Sequence, residues 1–401
     1  MKVVHIVKSS DGIKIRGDQR HVFYLAGAQL SKGFNVTVMT DNPGPFGELC
    51  REQGIQVVTT HFEPPDFASL GTSDSISGRA EEKMISQLGN LEPDLIHCHD
   101  LRSAFTAISA GNKMQLPCLL TLHLPPNLML SYLRSRSTFA VLSLSKAVFD
   151  RLKESDIPQE DLYYVPNGTP NGVKTASTIS WDEAPDTHPS LITVGRITFD
   201  KGIDTAMFAM FELRRKLGDR CPDLNIYGDS GEELEYFREI ASVLGVNDIV
   251  NFNEAQLDIL DHCRQSDILL VSSRFETGPL IVLEAMSRGM PIVSSDVGDV
   301  ADMIPDARYG RVVPVESIAE LADAINSTLA DIADSRFDPN LLIERHQALY
   351  TSERMAECIE LVYERVLEKL QGTVLNARTG NRCRDPASVQ LSQGHSCTCG
   401  W

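Results

Sequence analysis

Short runs of aliphatic and β-branched residues alternate along the chain with longer stretches whose apolar positions recur at helical spacing. "VVHIV" (3–7) is followed by "DQRHVFYLAGAQLSKG" (18–33), where Val22, Leu25, Ala26 and Leu30 share one helical face and Gly33 makes a C-cap. "NVTVMT", "DLIHCH", "CLLTLH", "FAVLSLS" and "YYVPNG" then appear as strand-like runs, the later ones separated by helical patterns. This alternation predicts βαβ units and a parallel sheet. It breaks at "TPNGVKTASTISWDEAPDTHPS" (169–190), which has no periodicity and reads as a domain boundary. It then resumes with "SLITVG", a helix from about Gly202, "LNIYG", a helix, "IVNF", a helix, "DILLVS", a helix carrying Glu284, "PIVSS" and "RVVPV". Helical patterns follow near 316–333 and 352–370. The expected architecture is α/β, with a doubly wound domain over 1–178 and another over 188–345. A helical segment spans 346–371, and residues 372–401 read as a disordered tail.

Composition narrows the class. The 401 residues are 42% hydrophobic and 23% charged, which are ordinary globular values. No apolar run approaches the ~18 residues of a membrane span. The opening "MKVVHIVKSSDG" lacks the apolar core and cleavage site of a signal peptide, so a cytoplasmic protein is expected. Nine cysteines, six of them scattered singly and none in a C-x-x-C pair, read as reduced thiols. Cys383, His395, Cys397 and Cys399 in the tail fit no standard zinc spacing.

The net charge of −18 is uneven: residues 1–180 hold 17 basic and 18 acidic side chains, and the rest hold 20 and 37. The acidic part argues against nucleic-acid binding. A local basic stretch carries Arg134, Arg136, Lys146, Arg151 and Lys153. Solvated helix faces account for it; a peripheral contact with anionic lipid at the inner membrane face, or with an anionic acceptor, is the alternative.

Three missing patterns are informative. No two glycines lie two apart, which excludes the G-x-G-x-x-G dinucleotide fingerprint. Gly12 and Gly17 have P-loop spacing, but Asp18 stands where the phosphate-binding lysine belongs. No two aspartates lie two apart, so there is no D-x-D pair to hold a divalent ion on a diphosphate. A bound diphosphate would have to be met by Arg, Lys and helix N-termini, with no metal or other cofactor expected.

Residues of those types stand where strands end. "LITVGRITFDKG" places Gly195, Arg196 and Lys201 after the first strand of the second domain, and "LNIYGDSGEEL" places Gly228 in a tight turn. "SSRFETGPLIVLEAMSRGMPIVSSD" (272–296) sets Glu276 before a helix start at Thr277–Gly278–Pro279 and Glu284 eight positions later among Leu283, Ala285 and Met286. A carboxylate in such company needs a partner, and a sugar diol is a good one. In the first domain, His97 and His99 share one face of a strand, where a structural or acceptor-side role outweighs a metal site, and His5 reads as core.

The run from "VGRITFDKG" through "IYGDSGEEL" to "RFETGPLIVLEAMSRGMPIVSSD" resembles the C-terminal half of glycosyltransferase family 4, with its glutamates eight apart. "RGDQRHVFYLAGAQLSKG", "PDLIHCHD", "TLH" and "VPNG" resemble landmarks of its N-terminal half in the same order. The likeness covers roughly residues 1–370.

It implies a GT-B fold, two Rossmann-like domains facing an interdomain cleft, and metal-independent hexosyl transfer from a nucleotide sugar with retention. A UDP- or GDP-sugar is the implied donor, and a small molecule or lipid-linked sugar the acceptor. By position, Arg196 and Lys201 bind the donor pyrophosphate, Glu276 and His123 the sugar, and Glu284 the ribose. Gly278 and Leu280 offer amides, with Thr277 and Pro279 shaping the turn. Gly17 lies near the phosphates, and His21, His99 and Arg102 are candidate acceptor-side residues. Asp18 after Gly17, Asp299 after Gly298, Asp302 in place of Glu, and Leu124–Pro125–Pro126 after His123 depart from the usual pattern. Two other readings share the fold: an epimerase or phosphorylase, and a non-catalytic nucleotide-sugar-binding protein.

Overall fold

The computed structural model describes residues 1–9, 15–63, 78–123, 128–172, 189–229, 231–256, 259–263 and 267–379, without the side chains of 262 and 371–379. Most of the linker (173–188), Leu124–Pro126 and the Cys/His tail lie outside the described residues. The chain divides into two compact units, Met1–Gly168 with Ser352–Trp401, and Thr169–Thr351.

The first unit is built on seven parallel strands: β1 (Lys2–Ile6), β2 (Asn35–Thr40), β3 (Gln56–Thr59), β4 (Leu95–Cys98), β5 (Cys118–Leu122), β6 (Ala140–Ser143) and β7 (Leu162–Tyr164), in the spatial order 3-2-1-4-5-6-7. The second has six: β8 (Leu191–Val194), β9 (Leu224–Tyr227), β10 (Val250–Asn253), β11 (Ile268–Val271), β12 (Ile292–Ser295) and β13 (Arg311–Val313), in the order 10-9-8-11-12-13. Each order reverses direction once, between β1 and β4 and between β8 and β11. Ligands of doubly wound sheets bind beyond the strand ends at such a point.

Helices cover both faces of each sheet, so the central strands are largely apolar, with His5, His97 and Thr121 the buried polar residues of β1, β4 and β5. Successive residues go to opposite cores. Val3, Leu95, Leu119 and Leu142 pack with Val22 and Leu25 of the helix Gly17–Ser31. Val4, Ile96, Leu120 and Val141 pack with Met84, Phe105 and Ile108. In the second unit Leu191, Leu224, Ile268 and Leu270 meet Met207, Met210 and Phe237, while Ile192, Leu269 and Ile292 meet Val282, Leu283 and Met286.

The helix expected between β10 and β11 is, among the described residues, only the short 3-10 turn Ile259–His262, and other elements also differ from the sequence reading. Strand β3 was not singled out because it is an edge strand whose residues are only half-buried or exposed, which leaves little apolar signal. The helix Pro339–Leu349 was also missed, although Asp338 caps it by accepting from the Asn340 amide and Pro339 takes its first turn. The last helix, Ser352–Thr379, runs past residue 371 and is no separate segment. Its Met355, Ile359, Val362 and Tyr363 lie in the same core as Val22 and Leu25, so an amphipathic face at the end of the chain completes the first unit.

The basic stretch is largely neutralised within the fold. Arg134 pairs with Asp161 at 2.7 Å, and Lys146 and Lys153 both pair with Asp150. Among the described residues no helix is long and apolar enough to cross a membrane.

Candidate functional site

In the second unit the candidate donor residues come off adjacent strands. The loop after β8 carries Gly195, Arg196 and Lys201, and the loop after β11 carries Ser273, Arg274, Glu276 and Gly278. Lys201 Nζ donates to Glu276 Oε1 at 2.6 Å, and Ser273 Oγ donates to the same oxygen at 2.9 Å. Two residues 75 positions apart are thus joined at the switch point of the sheet. A cation and a carboxylate in contact suit a ligand with a negative end and a hydroxyl-bearing end.

The loops are fixed by tight backbone contacts. Gly202 ends the short turn Phe199–Lys201 in the left-handed region at φ +60°, and a Cβ there would lie 2.0 Å from the Ser272 carbonyl oxygen. Ser272 Oγ donates to the Lys201 carbonyl at 3.0 Å. Arg274 adds a two-pronged pair with Asp204 at 2.8 Å on each branch and a bond to the Phe199 carbonyl. Sequence reading missed Ser273, Arg274 and Asp204. Only the register of β8 beside β11 reveals them, and Arg274 acts as the brace between the two loops. Gly202→Ala is expected to destabilise the protein by at least about 2 kcal/mol, because it meets both left-handed strain and a backbone clash. Urea unfolding checks this, and an unchanged midpoint would contradict the close approach.

Arg196 is more loosely held. Its side chain is largely exposed and pairs with Asp200 at 3.0 Å, so binding an anion means exchanging Asp200 for it. Gly228 follows β9, where a Cβ would lie 1.7 Å from the Gly195 carbonyl, so this glycine is required by the meeting of two loops. Gly298 plays the same part against the Thr277 carbonyl.

The helix expected to begin at Thr277–Gly278–Pro279 begins instead at Leu280, with Pro279 as its N-cap and Gly289 closing it in the left-handed conformation. Its N-terminal end carries the partial positive charge of unsatisfied amides. Glu284 is on its second turn and only 6% exposed, between Leu283 and Ala285. The sequence left open whether it reaches solvent; in the structure it is buried.

In the first unit the candidate residues gather past β1, β4 and β5. His99 follows β4, His123 follows β5, and His21 projects from the helix Gly17–Ser31. Their rings lie together, with centroids 5.4 Å apart for His21–His99 and 5.2 Å for His21–His123. His5 and His97 extend the cluster beneath them. His5 Nδ1 is 2.9 Å from His99 Nε2, and His5 Nε2 is 2.7 Å from Gln29 Oε1. His97 bonds Thr121 Oγ1 at 2.6 Å and the Tyr363 hydroxyl at 2.7 Å, and Gln29 Nε2 donates to that hydroxyl at 3.2 Å.

Burial pushes all five imidazoles below their ordinary range, His5 to about 4. They are neutral near pH 7. Asp18 and Asp100 work against the burial effect at His123. Asp100 also caps the helix Leu101–Lys113 by accepting from the Ser103 amide.

Gly17 opens its helix with no atom within 4 Å of where a Cβ would be, so internal packing does not demand glycine there. Arg102 is exposed on the first turn of the helix after β4. Asn167, Gln29 and Tyr363 were not foreseen, since they join the cluster only through strand and helix packing.

The chain matches two family models, "Glycosyltransferase Family 4" over residues 15–171 and "Glycosyl transferases group 1" over residues 178–340. It is 24% identical over 366 residues to a glycogen synthase of Mycobacterium tuberculosis, covering 83% of this chain and 87% of the relative. A D-inositol 3-phosphate glycosyltransferase of Kribbella flavida is 32% identical over 149 residues, 35% of each chain. In three dimensions the chain superposes on Anabaena Alr3699/HepE in complex with UDP-glucose with a TM-score of 0.73 at 16% identity, covering 93% of this chain and all of the other. Two parallel Rossmann-like sheets of the GT-B fold, matched by a family model on each half, place this chain in glycosyltransferase group 1 / family 4, among the retaining enzymes that use nucleotide-sugar donors.

Proposed function

We propose that the protein transfers a hexosyl group from UDP-sugar to a small-molecule or lipid-linked acceptor, with retention and without a catalytic metal. The observation that carries this is the Lys201–Glu276–Ser273 cluster at the carboxyl ends of β8 and β11, beside the N-terminus of the helix that buries Glu284. The UDP-glucose complex of the Anabaena structure supports uridine as the base.

Each residue has a task that its position allows. Lys201 and Arg196 neutralise the diphosphate, where charge develops as the glycosidic bond breaks. The amides of Gly278 and Leu280, at the helix start, add positive potential there. Glu276, already held by Lys201 and Ser273, accepts from sugar hydroxyls. A carboxylate tied to the phosphate-binding lysine fixes the sugar's orientation relative to its leaving group. Glu284 accepts from the ribose diol. In the first unit His123 is neutral and offers Nε2 to a sugar hydroxyl, with His21, His99 and Arg102 on the acceptor side. The relatives differ too much in what they glycosylate to fix the acceptor further.

A thermal-shift screen of UDP-, GDP-, ADP- and dTDP-sugars, followed by a hydrolysis assay on the hit, tests the reading. A rise in Tm with UDP-sugar alone is expected. No shift with any donor, on folded protein, overturns it. Conversion of the donor with no acceptor present would indicate an epimerase.

Two variant or reagent experiments sharpen it. Glu284→Gln is expected to weaken UDP-sugar binding about 10- to 100-fold, since a hydrogen bond to a charged group is worth about 1.5–3 kcal/mol. Unchanged affinity by calorimetry removes the ribose assignment. Turnover is expected to survive EDTA, because the chain supplies cations where a D-x-D enzyme supplies a metal. A strict requirement for added Mg2+ or Mn2+ contradicts this.

A further inference from the structure

The histidine cluster contains two groups of three in which one nitrogen from each ring lies within 4.8 Å of the others: His5, His97 and His99, and His21, His99 and His123. The groups differ in what their nitrogens already do. In the first, both nitrogens of His5 and both of His97 are hydrogen-bonded. In the second, His21 Nε2, His99 Nδ1 and His123 Nε2 are all buried and have no hydrogen-bond partner.

The surrounding bonds fix the protonation of two of these three. Gln29 Oε1 can only accept, so the proton on His5 sits on Nε2 and its Nδ1 is bare. His99 must then donate from Nε2 to His5 Nδ1, which leaves the lone pair of His99 Nδ1 pointing into the group. Asn167 Oδ1 likewise accepts from His21 Nδ1 at 2.8 Å and leaves His21 Nε2 as a lone pair. An acceptor that takes the far N–H, as Asn167 does at His21, is the arrangement that orients metal-binding histidines.

We propose that His21, His99 and His123 form a site for a divalent transition-metal cation, Zn2+ above all, bound by three imidazole nitrogens with a fourth position open to water. Borderline-soft ions favour neutral imidazole, and zinc is commonly held by such a set of three. Tetrahedral ligands at about 2.0–2.1 Å from the metal lie about 3.4 Å apart, and one nitrogen from each of the three rings already lies within 4.8 Å of the others, so the rings must draw together to close on the ion. The three rings come from different segments, a helix and two strand ends, so their backbones are set by the sheet. Burial keeps the imidazoles unprotonated, and Asp18 and Asp100 supply negative potential at His123 that Arg16 partly offsets.

The site goes beyond the transferase reading and is independent of it as a binding site. If His123 also contacts the sugar, Zn2+ and the sugar compete for Nε2 and the ion inhibits turnover. Metal binding is therefore measured apart from activity.

Full-length protein stripped with chelator and dialysed is titrated with Co2+ and then Zn2+. The expected result is one Co2+ per chain, with the visible bands of a tetrahedral nitrogen and oxygen site and displacement by Zn2+. A thiolate charge-transfer band would instead assign the ion to Cys383, Cys397 and Cys399 and overturn the proposal. His123, at the end of β5, retains some exposure, and His123→Ala, which removes one of the three ligands, is expected to weaken binding more than about 100-fold. Asn167→Ala, which removes the carbonyl behind His21, is expected to weaken it about 10- to 100-fold. No saturable binding, or unchanged affinity in folded His123→Ala, also overturns it.

Discussion

Replacing Lys201 with alanine is expected to lower kcat about 10²- to 10³-fold while the protein stays folded. The lysine sits on the loop after β8 with Nζ 2.6 Å from Glu276 Oε1, and both side chains are about four-fifths buried. A preorganised cation aimed at developing charge is commonly worth that factor. Its loss also frees Glu276, which keeps only Ser273 and no longer stands at a fixed distance from the phosphate site. The stability cost is small, since the pair still reaches solvent and such pairs contribute about 1 kcal/mol or less. Steady-state kinetics with saturating UDP-sugar, and circular dichroism on the same preparation, separate the two effects. Turnover within threefold of the parent would rule out a phosphate role for Lys201.

Acid is expected to unfold this protein well before its carboxylates titrate. His5 and His346 are buried and hydrogen-bonded, and burial pushes each down to about 4 from an ordinary 6.5. Above pH 6.5 folded and unfolded chains are both neutral at these positions, and nothing depends on pH. Below 6.5 the unfolded chain takes up protons that the folded chain refuses. Stability therefore falls as pH falls, until the folded histidines themselves protonate near pH 4. The slope is about 1.4 kcal/mol per pH unit for each histidine, so these two alone give about 3 kcal/mol per unit. His21, His97, His99 and His123 are lowered as well and steepen the fall. Urea unfolding at pH 7.5, 6.0 and 5.0 checks this. A stability constant from 7.5 to 5.0 would show that the imidazoles are hydrated in the folded state.

The central strands were readable because both of their faces are buried, so "LITV", "ILLV" and "CLLTL" are largely apolar runs with no charged residue. Strand β3 and the helix Pro339–Leu349 were not, since one is an edge and the other buries little beyond Leu342 and His346. The donor candidates were readable for a local reason: Gly195, Lys201 and Glu276 stand in the loops that follow β8 and β11, and Glu284 is a lone carboxylate in an apolar helical run. The contact between Lys201 and Glu276 was not, because it depends on β8 lying beside β11 and not beside β12. The histidines illustrate the same limit more sharply. His97 and His99 could be placed on one strand face, but His5, His21 and His123 join them only through the order 2-1-4-5 in the sheet. The tautomers of His21 and His99 depend on Asn167 and Gln29, whose roles are set wholly by packing.

The last helix has a consequence for biosynthesis. The ribosome makes residues 1–168 first, yet their core is closed by Met355, Ile359 and Tyr363, which emerge more than 180 residues later. The continuous stretch Thr169–Thr351 has all of its own strands in hand before that. Domains usually fold in the order of their synthesis. Here the later-made unit can complete first, while the earlier one waits with Val22 and Leu25 uncovered. A nascent chain halted near residue 351 exposes an apolar helix face and lacks the hydroxyl that joins His97 to Gln29. Such a chain is a natural client for a chaperone, and premature stop codons late in the gene should register as insoluble protein.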